Sequence, residues 1–238
     1  MTLNDFERDQ LYILNTYKRL DLQILYGKGS FLFDDKKKAY LDMYAGIAVS
    51  SLGHCHKEVN QAIKKQLKKH MHLSNYFVSK PVVDLAEQLV SNSFGHQVFF
   101  TNSGTEAVEA SIKLVRKFGK SIHSDKIEIV ALSQSFHGRT MGALALTGQP
   151  KYRSSFGPML EGVYHIERNN IKDLKSAISD KTCAIYLEMI QGEGGVEPLT
   201  DQFIEEVKTL AKTHHVLIVL DEIQTGLLRT GKLFSYQH

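Results

Sequence analysis

Five aliphatic residues in unbroken succession, Val216-Leu217-Ile218-Val219-Leu220, stop abruptly at Asp221-Glu222. A run without polar alternation gives a strand no water-facing side, so it must be covered on both faces, as in a parallel sheet between helices. Short apolar blocks of the same kind stand at 98–100, 127–132 and 184–187. Helical spacing fills the gaps: Val59, Ile63 and Leu67 step by four along a basic helix, Val82, Val83, Leu85, Ala86 and Leu89 mark a second, and 106–118 and 203–213 read as two more. The expected fold over residues 58–238 is therefore α/β, a mostly parallel sheet covered by helices, long enough to bury a sizeable core. Residues 1–57 read as a smaller N-terminal segment: a polar opening helix, then two short strands, Phe31-Leu32-Phe33 and Ala39-Tyr40-Leu41, joined by the charged turn 34–38.

Composition removes several classes of function. With 29 Lys plus Arg against 26 Asp plus Glu, the net charge of +3 is too weak and too scattered for a nucleic-acid footprint. Cys55 and Cys183 form no C-x-x-C pattern, so neither a disulfide framework nor a thiolate zinc cage is expected and a reducing compartment fits. The first ten residues carry Asp5, Glu7, Arg8 and Asp9 in place of an apolar leader, and the run 216–220 is far short of a membrane span. A soluble, cytoplasmic protein without nucleic-acid or membrane partners is expected. His54-x-His56 and His70-x-His72 have a spacing that suits a metal on a strand, yet no carboxylate or thiol pattern completes either, and no metal is expected. His214-His215 reads as a helix end serving the C-terminal dipole.

In an open α/β sheet, ligands bind beyond the carboxyl ends of the strands. The residues that carry chemistry stand there: Thr101-Asn102-Ser103-Gly104-Thr105 after 98–100, Ser135-Phe136-His137-Gly138-Arg139 after 127–132, Glu188 and Gln191-Gly192-Glu193-Gly194-Gly195 after 184–187, and Asp221-Glu222-Ile223-Gln224 after 216–220. Ser103-Gly104-Thr105 opens a helix, where free backbone N–H groups and the positive dipole end suit a phosphate; taken alone, the motif reads first as an N-cap. Asp221 emerges from a buried strand, where desolvation opposes its charge unless a cation holds it ionised. A protonated pyridine nitrogen would do so, and so would a local Arg such as Arg229; a helix-capping role also fits. Phe136 offers a face on which a flat cofactor can stack, and Arg139 a guanidinium that can clamp a carboxylate with two hydrogen bonds. Neither a Gly-x-Ser-x-Gly elbow nor a His-Glu-x-x-His helix is present to start a hydrolase or zincin reading.

Seven segments together carry a resemblance: Tyr40-Leu41-Asp42, Gly46-Ile47-Ala48-Val49 with Leu52-Gly53-His54, Leu73-Ser74-Asn75, Val98-Phe99-Phe100-Thr101-Asn102-Ser103-Gly104-Thr105-Glu106-Ala107, Ser135-Phe136-His137-Gly138-Arg139-Thr140, Gln191-Gly192-Glu193-Gly194-Gly195, and Asp221-Glu222-Ile223-Gln224-Thr225-Gly226. In this order the chain resembles the class III, fold type I, pyridoxal-phosphate aminotransferases. The resemblance implies pyridoxal 5'-phosphate as cofactor, with Ser103, Gly104 and Thr105 on its phosphate, Phe136 stacked on its ring, Asp221 at the ring nitrogen as the catalytic carboxylate, and Gln224 at the phenolic oxygen. It implies Arg139 for the substrate α-carboxylate and Glu193 in the substrate pocket. The activity implied is transamination of N2-acetyl-L-ornithine with 2-oxoglutarate in arginine biosynthesis, by a homodimer acting on small amino and 2-oxo acids. Ornithine, succinyl-ornithine and 4-aminobutyrate aminotransferases look similar and stand as alternatives, as does a catalytically inactive cofactor-binding fragment.

The family's Schiff-base lysine lies in a Thr-x-x-Lys segment beyond the Asp-Glu-x-Gln motif, and this chain ends at His238 before reaching it. The resemblance therefore implies the N-terminal part of a longer aminotransferase, an incomplete large domain with the C-terminal small domain absent. Three positions depart from the family's pattern: Lys57 and Met189 stand where proline is usual, and Leu228 where glycine is usual.

Overall fold

A computed structural model describes residues 3–238. The chain divides into two compact units, the first ending at Phe77 and the second running Val78–His238. That division falls later than the boundary expected after residue 57. Segment 42–56 is tied back onto the N-terminal strands through an isolated Gly29–His54 bridge and a bond from Asp42 N–H to Ser30 O at 2.9 Å, which carries the chain into the next helix as part of the first unit.

Helix α1 (Asp5–Tyr12) opens on a capping box: Glu7 N–H donates to Asn4 Oδ1 at 3.0 Å, and Asn4 N–H donates to Glu7 Oε2 at 2.8 Å. Strands β1 (Ile24–Lys28), β2 (Phe31–Asp34) and β3 (Ala39–Leu41) form an antiparallel meander, with Phe31 opposite Leu41 in the expected hairpin. The charged turn is built around Asp34, which accepts from the N–H groups of Lys36 and Lys38 and from the Tyr40 hydroxyl. The next turn, α2 (Ala45–Ala48), is left-handed: φ is 48° at Ala45, 64° at Gly46, and 63° at both Ile47 and Ala48. Asp42 holds it by accepting from Tyr44 N–H and Ala45 N–H, and the Ala45 bond together with the His54 ring at 2.7 Å keeps the Asp42 carboxyl below its ordinary pKa. Helix α3 (Lys57–Leu67) follows, with Lys57 at its first position, where a proline would also fit.

In the second unit the elements run α4 (Lys80–Ser91), α5 (Gly104–Ile122), β4 (Glu128–Leu132), α6 (Met141–Leu146), α7 (Pro150–Arg153), β5 (Val163–Ile166), α8 (Ile171–Ala177), β6 (Thr182–Leu187), the small hairpin β7 (Ile190–Gln191) and β8 (Glu197–Pro198), α9 (Asp201–His214) and β9 (Leu217–Leu220). Four strands form a parallel sheet in the order β5-β4-β6-β9. Alternate residues of each central strand point to opposite faces. Val130, Leu132, Ile185 and Leu187 meet Leu174 of α8 and Phe203, Val207 and Ala211 of α9, while Ile129, Ala131, Ala184 and Tyr186 meet Val108, Ile112 and Val115 of α5 and Ala143 and Leu146 of α6. Every residue of β6 is buried, whereas the aliphatic run expected to be covered on both faces forms β9 at the sheet edge and leaves Ile218 39% exposed.

The block 98–100 does not form the expected strand. It pairs with none of the described residues, and Phe99 is 77% exposed. Its composition is that of a buried strand, but a strand needs a ladder neighbour, and β9 is the last strand on its side of the sheet. Helix α9 ends at His214 with His215 in the left-handed conformation. The expected basic capping is supplied chiefly by the buried Lys126, whose ammonium donates to His214 O at 2.8 Å and to Asp180 O at 3.2 Å.

Candidate functional site

The carboxyl ends of β4, β6 and β9 lie side by side, and the loops that leave them form one rim. Asp221 is its fixed point. Its N–H donates to Leu187 O at 2.8 Å, and its Oδ1 accepts from Ile223 N–H at 3.0 Å. Oδ2 lies 2.8 Å from Nδ1 of His137, a fully buried ring, and the Asp221 side chain itself is only 7% exposed. An ionised carboxylate accepts and never donates, so this contact assigns the proton to Nδ1. The other ring nitrogen, Nε2, is buried with no hydrogen-bond partner among the described residues. The buried partner that the structure gives Asp221 is His137, which the sequence reading had not offered.

Helix α5 begins at Gly104 and brings the second element to the rim. Ser103 is its N-cap and accepts from Glu106 N–H at 3.3 Å, the simpler of the two roles the motif allowed. The first-turn N–H groups at Gly104 and Thr105 have no partner within the helix. Gly104 lets this end approach the strand loops closely, because a Cβ there would sit 2.9 Å from Ile223 Cδ1. The phosphate-binding candidates Ser103, Gly104 and Thr105 therefore adjoin the loop that carries Asp221 and Gln224.

The loop after β4 is pinned to α5 and to the strand ends. Thr105 Oγ1 lies 2.9 Å from Thr140 Oγ1, and Gly138 (φ 127°) packs so closely on Thr105 that any Cβ would collide with its hydroxyl. Glu109 on α5 accepts from Gly142 N–H and Ala143 N–H, capping α6 with an anion. Between these anchors, Phe136 is half-buried, makes an edge contact with Tyr152 at 5.8 Å, and carries the Arg139 guanidinium 5.7 Å from its ring centroid. Arg139 itself is exposed.

Gln224 packs against Gly192, where a Cβ would overlap its Oε1, so the loop bearing Glu193 adjoins the one bearing Asp221. Glu193 is exposed. Between the two loops stands Glu188, 8% exposed, whose Oε2 accepts from Phe136 N–H at 3.3 Å and whose carboxyl is pushed up to about 7 by burial. His137 and Glu188 are rim residues to which reading the sequence assigned no role. The signal for Glu188 was the one that singled out Asp221, a carboxylate directly after a buried aliphatic strand. For His137 it was a histidine inside a loop that follows such a strand.

The family model for class-III aminotransferases matches residues 12–238. An acetylornithine aminotransferase of Caldanaerobacter subterraneus is 45% identical over 231 residues, 97% of this chain and 59% of that protein. Among solved structures, the ornithine aminotransferase of Toxoplasma gondii superposes with a TM-score of 0.92 at 29% identity, covering 98% of this chain and 56% of its own. The N-acetylornithine aminotransferase of Stenotrophomonas maltophilia gives a TM-score of 0.81 at 35% identity, with 97% and 57% covered. The chain thus spans less than two thirds of the length of the relatives it matches. From the motifs at the sheet rim and from a family match extending over nearly all of its residues, the chain belongs to the class-III aminotransferases.

Proposed function

We propose that the rim of the sheet binds pyridoxal 5'-phosphate and that the whole protein transaminates N2-acetyl-L-ornithine with 2-oxoglutarate. The observation that carries this reading is the Asp221 carboxylate, withdrawn from water yet fixed by His137 Nδ1 and Ile223 N–H. A carboxylate so oriented, beside a helix N-terminus and a half-buried aromatic ring, fits a cationic heterocycle with an anionic tail. When bound, the protonated pyridine ring supplies the electron sink that lets the substrate α-proton leave.

In this reading Ser103, Gly104 and Thr105 bind the phosphate, Phe136 covers one face of the ring, and Asp221 keeps the ring nitrogen protonated. His137 orients Asp221 through Oδ2, while Ile223 N–H holds Oδ1. Gln224 donates to the phenolic oxygen through its side-chain amide. Arg139, on the same loop as Phe136, takes the substrate α-carboxylate, and Glu193 lines the substrate side. Arginine biosynthesis is the setting that the acetylornithine-acting relatives support, and a cytoplasmic homodimer is part of the same proposal.

Asp221→Asn is the test. An amide cannot supply the charge that holds the ring protonated, so transamination falls by on the order of 10³-fold or more while the fold persists. Near wild-type turnover in that variant would remove the role. Substrate identity is tested by comparing acetylornithine, ornithine, succinyl-ornithine and 4-aminobutyrate as donors, with acetylornithine expected to give the highest kcat/KM.

A further inference from the structure

In the β6–β9 ladder Leu187 stands opposite Leu220, so Glu188 and Asp221 leave neighbouring parallel strands at the same level. Both side chains are almost wholly withdrawn from water. They also grip the same dipeptide: Glu188 takes the backbone N–H of Phe136, and Asp221 takes the ring of His137. Two carboxylates so placed oppose each other's ionisation, and the charge of Asp221 adds to the burial that raises the Glu188 pKa. The donors decide which acid keeps it. Asp221 has the His137 N–H and the Ile223 N–H, whereas Glu188 has one backbone N–H at a longer distance.

We propose that Glu188 is the proton store of this rim: it holds a proton while no cation rests on Asp221, and gives that proton to solvent when a cation docks there. The groups facing Glu188 are Phe136 N–H and His137 from the loop after β4, Glu193 from the loop after β7, and Asp221 from the end of β9. Burial raises its pKa most; His137 and the Phe136 N–H oppose that rise, and the negative charges of Asp221 and Glu193 add to it. A cation on Asp221 cancels one of those negative charges, and Glu188 then ionises. Its bond to Phe136 N–H becomes charge-assisted, which tightens the loop bearing the stacking aromatic only once there is a ring to stack upon. Glu188 is in this sense a positioning residue, acting through Phe136 and Asp221. The inference rests on reading the rim as a cradle for a protonated pyridine ring.

The experiment is calorimetric titration of the cofactor-free protein with 4'-deoxypyridoxine 5'-phosphate, which has the ring nitrogen and the phosphate but no aldehyde to bond a lysine. Repeating it in buffers of different ionisation enthalpy counts the protons released. Wild-type protein is expected to release about half a proton more per site than Glu188→Gln at about pH 6.5, with the difference vanishing at about pH 8.5, where Glu188 is already ionised. Equal proton counts for the two proteins at the lower pH would overturn the proposal and leave the cradle reading standing. Failure of both proteins to bind the probe would overturn the cradle reading and the proposal with it. A measurement that needs no variant is the carboxyl-carbon titration of wild-type protein labelled with δ-13C-glutamate. One resonance titrating at about 7 and moving to the ionised position on adding the probe is the expected result, and none titrating above about 6 overturns the proposal.

Discussion

A carboxyl group with its pKa raised to about 7, as at Glu188, weakens the folded state wherever the unfolded chain would be ionised and the folded chain still holds its proton. Its burial is least costly in acid, and the penalty grows as pH climbs from the ordinary glutamate range through about 7, then stays constant. Glu188→Gln removes this slope. The difference in unfolding free energy between variant and wild type is therefore expected to move in the variant's favour by about 3 kcal/mol between about pH 4.5 and pH 7.5, measured by denaturant melts at both ends. Leu228 makes a second case for a single residue. Its φ is 69°, in the left-handed region that costs a side chain about 1–2 kcal/mol and that favours the glycine expected there from the family resemblance. Leu228→Gly is expected to stabilise the protein by about 1 kcal/mol or less, the glycine entropy offsetting part of the relief, and an unchanged or lower thermal midpoint would contradict it. At this scale the sequence was legible in position: Gly104 opens a helix and Asp221 follows a strand end, as their neighbours in the sequence imply. The His137 partner was not legible, because a pairing between residues 84 positions apart depends on how two strand loops meet.

The helices and strands of the sheet core were readable because their apolar spacing is strong: β4, β6, α9 and β9 appear within a few residues of the expected 127–132, 184–187, 203–213 and 216–220. Short elements such as α7, β5 and α8 carry too few periodic positions to signal themselves, and β5 alternates only weakly as the outer strand of the sheet. The block 98–100 shows the converse failure, a pattern that asks for a strand without a neighbour to pair it. Contact between elements is sharpest where α5 meets the start of β4. A Cβ on Gly119 would overlap Lys126 O and approach Cys183 Cβ to 2.6 Å, so the helix end lies directly on the strand backbone. Gly119→Ala is expected to destabilise the protein by about 1–3 kcal/mol, despite alanine's better helix propensity, because backbone cannot move aside as a flexible side chain can. Urea melts of that variant, beside a control Ser121→Ala on the same helix, separate the packing effect from helix propensity.

Across the molecule, burial is uneven: before Phe77, Asp34 is the one described residue that is buried, whereas both hydrophobic clusters lie within the second unit. Hydrogen exchange should follow that division. Amides of Glu128–Leu132 and Thr182–Leu187 are expected to exchange only on global unfolding, and those of α1 and β1–β3 by low-energy local opening, at least a hundredfold faster, on the order of 3 kcal/mol apart. Equal protection across both units would contradict this. The same asymmetry has a consequence for turnover in a cell. Degradative enzymes engage whichever part of a chain opens most often, and the first unit, with its apolar side chains exposed and no core of its own, offers that hold. The lifetime of the second unit would then be governed by residues outside its own core.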